Sequence, residues 1–129
     1  MKLTKAQTEV LEKAKEKIDF ARNNSFFKWY MQTPSNYVKE NIHTEEELEN
    51  YLKNKNYNES IKNRIGASSI NALEIETKIY EMYKNGFDCY CHATKGTIKK
   101  LESLGLIKII EDSSGAKYYG FDIIKIINY

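Results

Sequence analysis

Cys89, Cys91 and His92 form the densest group of reactive side chains in the sequence, and the only other histidine, His43, lies far upstream. A structural zinc site takes four nitrogen or sulfur ligands, so this ligand count argues against a metal. A thiol–imidazole nucleophile pair fares no better. Adjacent Cys91 and His92 on a strand point to opposite faces, which prevents the hydrogen bond that would activate the thiol. Two cysteines at this spacing are also too close along the chain to bridge in the ordinary way, which predicts reduced, buried thiols. The acidic run Glu45, Glu46, Glu47 and Glu49 has the charge to mimic phosphates toward a basic partner, but capping of a helix N-terminus accounts for three of these acids. The aromatics Phe26, Phe27, Trp29, Tyr30 and Tyr37 have faces on which bases could stack, and packing over the first helix is the favoured reading. No catalytic residue, metal ligand or cofactor site follows from these groups, and the expectation is a non-enzymatic protein.

Composition narrows the class. An apolar fraction of 41% with 12% aromatics in 129 residues suits one packed core, so a single domain spanning residues 1–129 is expected. Twenty basic against eighteen acidic residues leave only +2, so any contact with nucleic-acid phosphates has to be local. No apolar run reaches the roughly 18–20 residues of a membrane span, and the charged start lacks the apolar stretch of a signal peptide. The expected location is the cytoplasm, with no membrane partner.

The elements follow from periodicity. Leu3, Ala6, Val10, Leu11, Ala14, Ile18 and Ala21 share one helical face, and Thr4 with Gln7 makes a capping box, predicting a helix that ends near Asn23 or Asn24. A short helix to about Met31 precedes Pro34, and a second capping box, Thr44 with Glu47, opens a helix carrying Leu48, Tyr51 and Leu52. The Asn-rich stretch 54–58 reads as a loop before a short helical piece with Ile61 and Ile65. Ser68 or Ser69 then caps a helix to about Lys84, whose wide apolar stripe of Leu73, Ile75, Ile79, Tyr80, Met82 and Tyr83 suggests neighbours on two sides. Asn85-Gly86 stops it. Phe87 to His92 alternates like a strand, Thr94 caps a helix closed by Gly105, and Ile107 to Ile110 forms a strand. The turn Asp112-Ser113-Ser114-Gly115 then leads into a long return strand, Lys117 to Ile127.

The segment from Thr94 to Ile110, with Ile98, Leu101 and Leu104 as anchors and Gly105-Leu106-Ile107 leading into a strand, resembles the recognition helix and wing entry of bacterial winged-helix proteins. This defines the expected fold class: α+β, with a helical part over about residues 1–86 and a winged-helix-like part over about 69–129. The latter is a helix plus an antiparallel β-hairpin, with a third strand if Phe87–His92 joins the sheet. If that strand does not join, the motif is a degenerate helix-turn-helix, because no second helix precedes the recognition helix. The resemblance implies that Lys95, Lys99, Lys100 and Ser103 face a DNA major groove, with Lys117 on the wing touching an adjacent phosphate or the minor groove. A solvated helix face has the same composition.

Across its two ends the chain is similar to small proteins of Gram-positive phages and prophages. The similarity is carried by Leu3 to Leu11, by Ile18-Asp19-Phe20-Ala21-Arg22, by the aromatic patch that follows and by Thr97 to Ile110. It implies an accessory protein of a phage or mobile element acting in the bacterial cytoplasm. Two functions stay open: a regulator that binds double-stranded DNA, for which a homodimer is expected because paired half-sites add affinity, or a protein-binding inhibitor of a host defence system, of the anti-CRISPR type.

Overall fold

The structure is a computed structural model and describes residues 2–32, 43–53, 67–111 and 122–129, with the side chains of 50–53 and 67–75 left aside. Within these residues it is a mixed α+β fold of five helices and a small antiparallel three-stranded sheet. In chain order the elements are α1 (Lys5–Asn23), α2 (Phe26–Gln32), α3 (Glu45–Lys53), α4 (Ala67–Lys84), β1 (Phe87–Asp88), α5 (Lys95–Ser103), β2 (Ile107–Glu111) and β3 (Ile123–Ile126).

The chain divides into two compact units, one of Met1–Asn23 with Glu81–Tyr129, the other of Asn24–Tyr80, so the division falls within α4. In the first unit α1 starts at the expected capping box. The Thr4 backbone N–H donates to the Gln7 side-chain oxygen at 2.9 Å, and the Gln7 N–H donates to Thr4 Oγ1 at 3.2 Å. The helix buries Ala14, Ile18 and Ala21, and packs on β1, β3 and α5. Its neighbours are thus elements that follow it by more than sixty residues, a grouping that periodicity within α1 does not reveal.

The sheet order is β1-β3-β2, so the third strand left open by the sequence is present. Phe87 lies opposite Lys125 and Asp88 opposite Ile124, while on the other side Ile107 pairs with Ile126 and Ile109 with Ile124. A bulge between Ile109 and Glu111 shifts the register of β2. Ile107, Ile123, Ile124 and Ile126 are buried, as are Ile98 and Leu101 of α5.

The strand expected over Phe87–His92 is only two residues long. Asp88 is buried, and its Oδ1 accepts the Tyr90 backbone N–H at 3.0 Å, an Asx turn that takes the chain out of the ladder after Phe87 and Asp88 have paired. The return strand is described only from Ile123 onward, and Asp112 to Gly115, Lys117 and the rest of the expected hairpin tip lie outside the described residues.

In the second unit, Phe26, Trp29 and Tyr30 of α2 close on Tyr80 of α4. The Phe26 ring meets Tyr80 edge-on at 5.4 Å, the Trp29 ring meets it at 5.3 Å, and the Tyr80 hydroxyl donates to the Asn24 carbonyl at 2.6 Å. Trp29, Tyr30 and Tyr80 are buried, which leaves their faces unavailable for stacking on bases. The Glu47 N–H donates to Thr44 Oγ1 at 3.1 Å, as the second capping box predicts, and Leu48 is buried. Tyr37, the loop 54–58, Ile61 and Ile65 lie outside the described residues, as do the side chains of Tyr51, Leu52, Leu73 and Ile75.

Candidate nucleic-acid interface

Both ends of α5 are held by local hydrogen bonds. Thr94 sits in extended backbone conformation as N-cap, with its Oγ1 accepting the Thr97 N–H at 3.2 Å. At the other end the Leu106 N–H donates to the Leu101 carbonyl at 3.1 Å and the Gly105 N–H to the Glu102 carbonyl at 2.9 Å. This pair of bonds is a Schellman closure, which needs a left-handed residue after the cap; Gly105 supplies it with φ of +77°. The turn delivers the chain directly into β2. Glu102 adds a tie, its Oε2 accepting the Ile109 N–H at 2.7 Å, which spends a donor on the sheet's outer strand.

Rotation of α5 about its axis is set by Ile98 and Leu101, both fully buried, and by half-buried Leu104. Lys95, Gly96, Lys99, Lys100 and Ser103 are all exposed. Among the described residues no ion pair or hydrogen bond engages the three lysine ammonium groups. Lys95 and Lys99 are one helical turn apart, a like-charge arrangement that weakens a helix. Glu102, the one acid on α5, has an oxygen committed to β2. The lysine face therefore carries positive charge that its own helix does not neutralise. Ser103 donates its hydroxyl proton to the Lys100 carbonyl at 2.6 Å, so toward any ligand it offers lone pairs and acts as an acceptor. Lys117, the expected wing contact, lies outside the described residues.

The path from β1 into α5 is held by a cluster that sequence reasoning missed. Asp88 accepts from Lys17 Nζ on both oxygens at 3.4 Å, from the Tyr83 hydroxyl at 3.3 Å and from the Tyr90 N–H. Lys17 also donates to the Tyr90 carbonyl at 3.2 Å, and the Cys91 N–H donates to the Asp122 carbonyl at 3.1 Å. Burial first, and the Asp88 charge second, push the Tyr83 phenol well above its usual value. The same two causes push the Cys91 thiol up to about 12. Cys89 and Cys91 are both buried and unbridged, and His92 is exposed. Among the described residues no group of three or more His, Cys, Asp or Glu side chains is placed to hold a metal ion. Nor is any helix among them long and apolar enough to cross a membrane.

A second tie joins α1 to the end of the chain. Arg22 donates from Nε to the Lys84 carbonyl at 3.0 Å and from Nη2 to the Tyr129 carbonyl at 2.7 Å, while the Tyr129 hydroxyl donates to Asp19 at 2.6 Å. No family profile, curated protein or solved structure matches this chain at a significant level.

Proposed function

We propose that this chain is a non-enzymatic accessory protein of a phage or mobile element that binds double-stranded DNA and acts as a regulator in the bacterial cytoplasm. The observation that carries the reading is the exposed, unneutralised face of α5. Lys95, Lys99 and Lys100 project opposite the buried Ile98 and Leu101, on a helix that runs directly into an antiparallel sheet. In this reading α5 lies in the major groove, its lysines meeting phosphates or guanine edges. Ser103 accepts from a base amino group, and Lys117 contacts the backbone from the wing. A homodimer reading two half-sites completes the proposal.

A gel-shift titration tests it. Duplex retention is expected at low salt and should weaken steeply toward physiological salt, with roughly one counterion released per phosphate contact. Replacing Lys95, Lys99 and Lys100 together by Ala should abolish retention while the melting temperature stays nearly unchanged, because none of the three packs in the core. Retention that survives the triple substitution removes α5 as the reader.

The second reading, a protein-binding inhibitor of a host defence system, is favoured by the near-neutral charge of +2 and by the turn that stands between β1 and α5 where a helix-turn-helix has its second helix. Absence of any duplex retention at low salt, together with recovery of one defined host defence protein in a pull-down, would select it.

A further inference from the structure

Beside α5, but away from its lysine face, α1 and the segment 88–97 enclose a cleft of about 440 Å³, within the size range of small-molecule sites. Its walls are largely apolar, with Ala6 and Val10 on α1 and Cys91 and Ala93 opposite. A thiol held at about 12 stays neutral at physiological pH, so Cys91 adds no charge to this lining. The Asp88 carboxylate reaches the cleft already matched by Lys17 and by two further donors, Tyr83 and Tyr90. Other polar groups remain. Lys13 lines the cleft with no ion pair among the described residues; Glu9, one turn before it, and His92 line it too and are exposed, and Glu9 does not pair with Lys13. The Thr94 and Thr97 hydroxyls lie 2.8 Å apart. One proton joins them, and when Thr97 donates it the Thr94 proton is free for a third atom.

We propose that this cleft binds a small monocarboxylate with an apolar body, its carboxylate between Lys13 Nζ and the Thr94 hydroxyl and its carbon chain along Val10, Cys91 and Ala93. A largely apolar wall with the Lys13 ammonium and a hydroxyl donor favours that combination over a neutral molecule, which leaves the ammonium unpaired. The proposal does not rest on DNA binding, although Thr94 and Thr97 belong to the first turn of the helix that carries the lysines.

The test is a titration of the full-length, ¹⁵N-labelled protein with sodium hexanoate and, separately, with neutral hexanamide at constant ionic strength and without DNA. Hexanoate should produce saturable shifts at the amides of Ala93, Thr94 and Thr97, and hexanamide should bind about tenfold more weakly or less, the scale of one hydrogen bond to a charged group. Lys13→Ala, an exposed position whose loss leaves the rest of the spectrum in place, should weaken hexanoate by a similar factor. Shifts that never saturate, equal binding of the two probes, or wild-type affinity in Lys13→Ala would each overturn the proposal, whatever the gel-shift result for α5.

Discussion

Asp88 shows what a single buried carboxylate does here: it ends β1 by capturing Tyr90, ties that turn to α1 through Lys17 and orients Tyr83 of α4. Asp88→Ala removes the acceptor for all three, and a loss of about 2–3 kcal/mol is expected from hydrogen bonds to a charged group, read as a lower urea midpoint. Nothing near Asp88 in the sequence announces this, since Lys17 is 71 residues away. The buried thiol makes a pH prediction. A folded-state pKa of about 12 against an ordinary value near 9 means that the unfolded chain loses its proton first as pH rises. The thiol's contribution to stability is therefore complete below about pH 9 and is lost progressively between about 9 and 12. Thermal melts at stepped alkaline pH should show a falling Tm, and Cys91→Ala should flatten part of that fall. Tyr83, raised for the same reasons, leaves a residual slope.

At the scale of elements, α5 owes its ends to residues legible in the sequence. Thr94→Ala should cost about 1 kcal/mol by leaving the Thr97 N–H uncapped. Gly105→Ala should cost about 1–2 kcal/mol, because a side chain resists the left-handed backbone found there and the position has open space, so strain acts without a clash. Both are measured by denaturant unfolding, and neither should alter the exposed lysines. Capping residues are readable for α1, α3 and α5, and the Asn85-Gly86 stop for α4, because they are written within three or four residues; Ser68 and Ser69, expected to cap α4, lie inside it instead, since the helix already runs from Ala67. The alternation over Phe87–His92 overstates the length of β1, because alternation alone does not show that a side chain will take the next backbone donor.

For the whole molecule, the main consequence is that α1 belongs with the C-terminal third. The segment expected from the sequence to be winged-helix-like, about 69–129, does not include α1, which packs on β1, β3 and α5. A chain beginning at Asn24 should therefore lose cooperative melting of the sheet region, seen as a broad transition by circular dichroism and as rapid amide exchange in Ile124 and Ile126. Retention of a sharp transition in that shortened chain would show that α1 is dispensable. Arg22, which reaches both the Lys84 carbonyl at the end of α4 and the Tyr129 carbonyl after β3, couples α1 to these parts alongside Lys17 and Asp19.

By itself the sequence determined the helices, the caps of α1, α3 and α5, the stops of α4 and α5, the inward turn of Ile98 and Leu101, and the outward turn of Lys95, Lys99 and Lys100, because each is a property of neighbours a few residues apart. Tertiary structure alone decided which elements meet: the β1-β3-β2 order, the burial of Asp88 under Lys17, and the cleft between α1 and the start of α5. The strand pairs join residues 12 to 38 positions apart and Lys17 meets Asp88 across 71, and no local pattern encodes a contact that exists only once both partners have been brought to the same sheet.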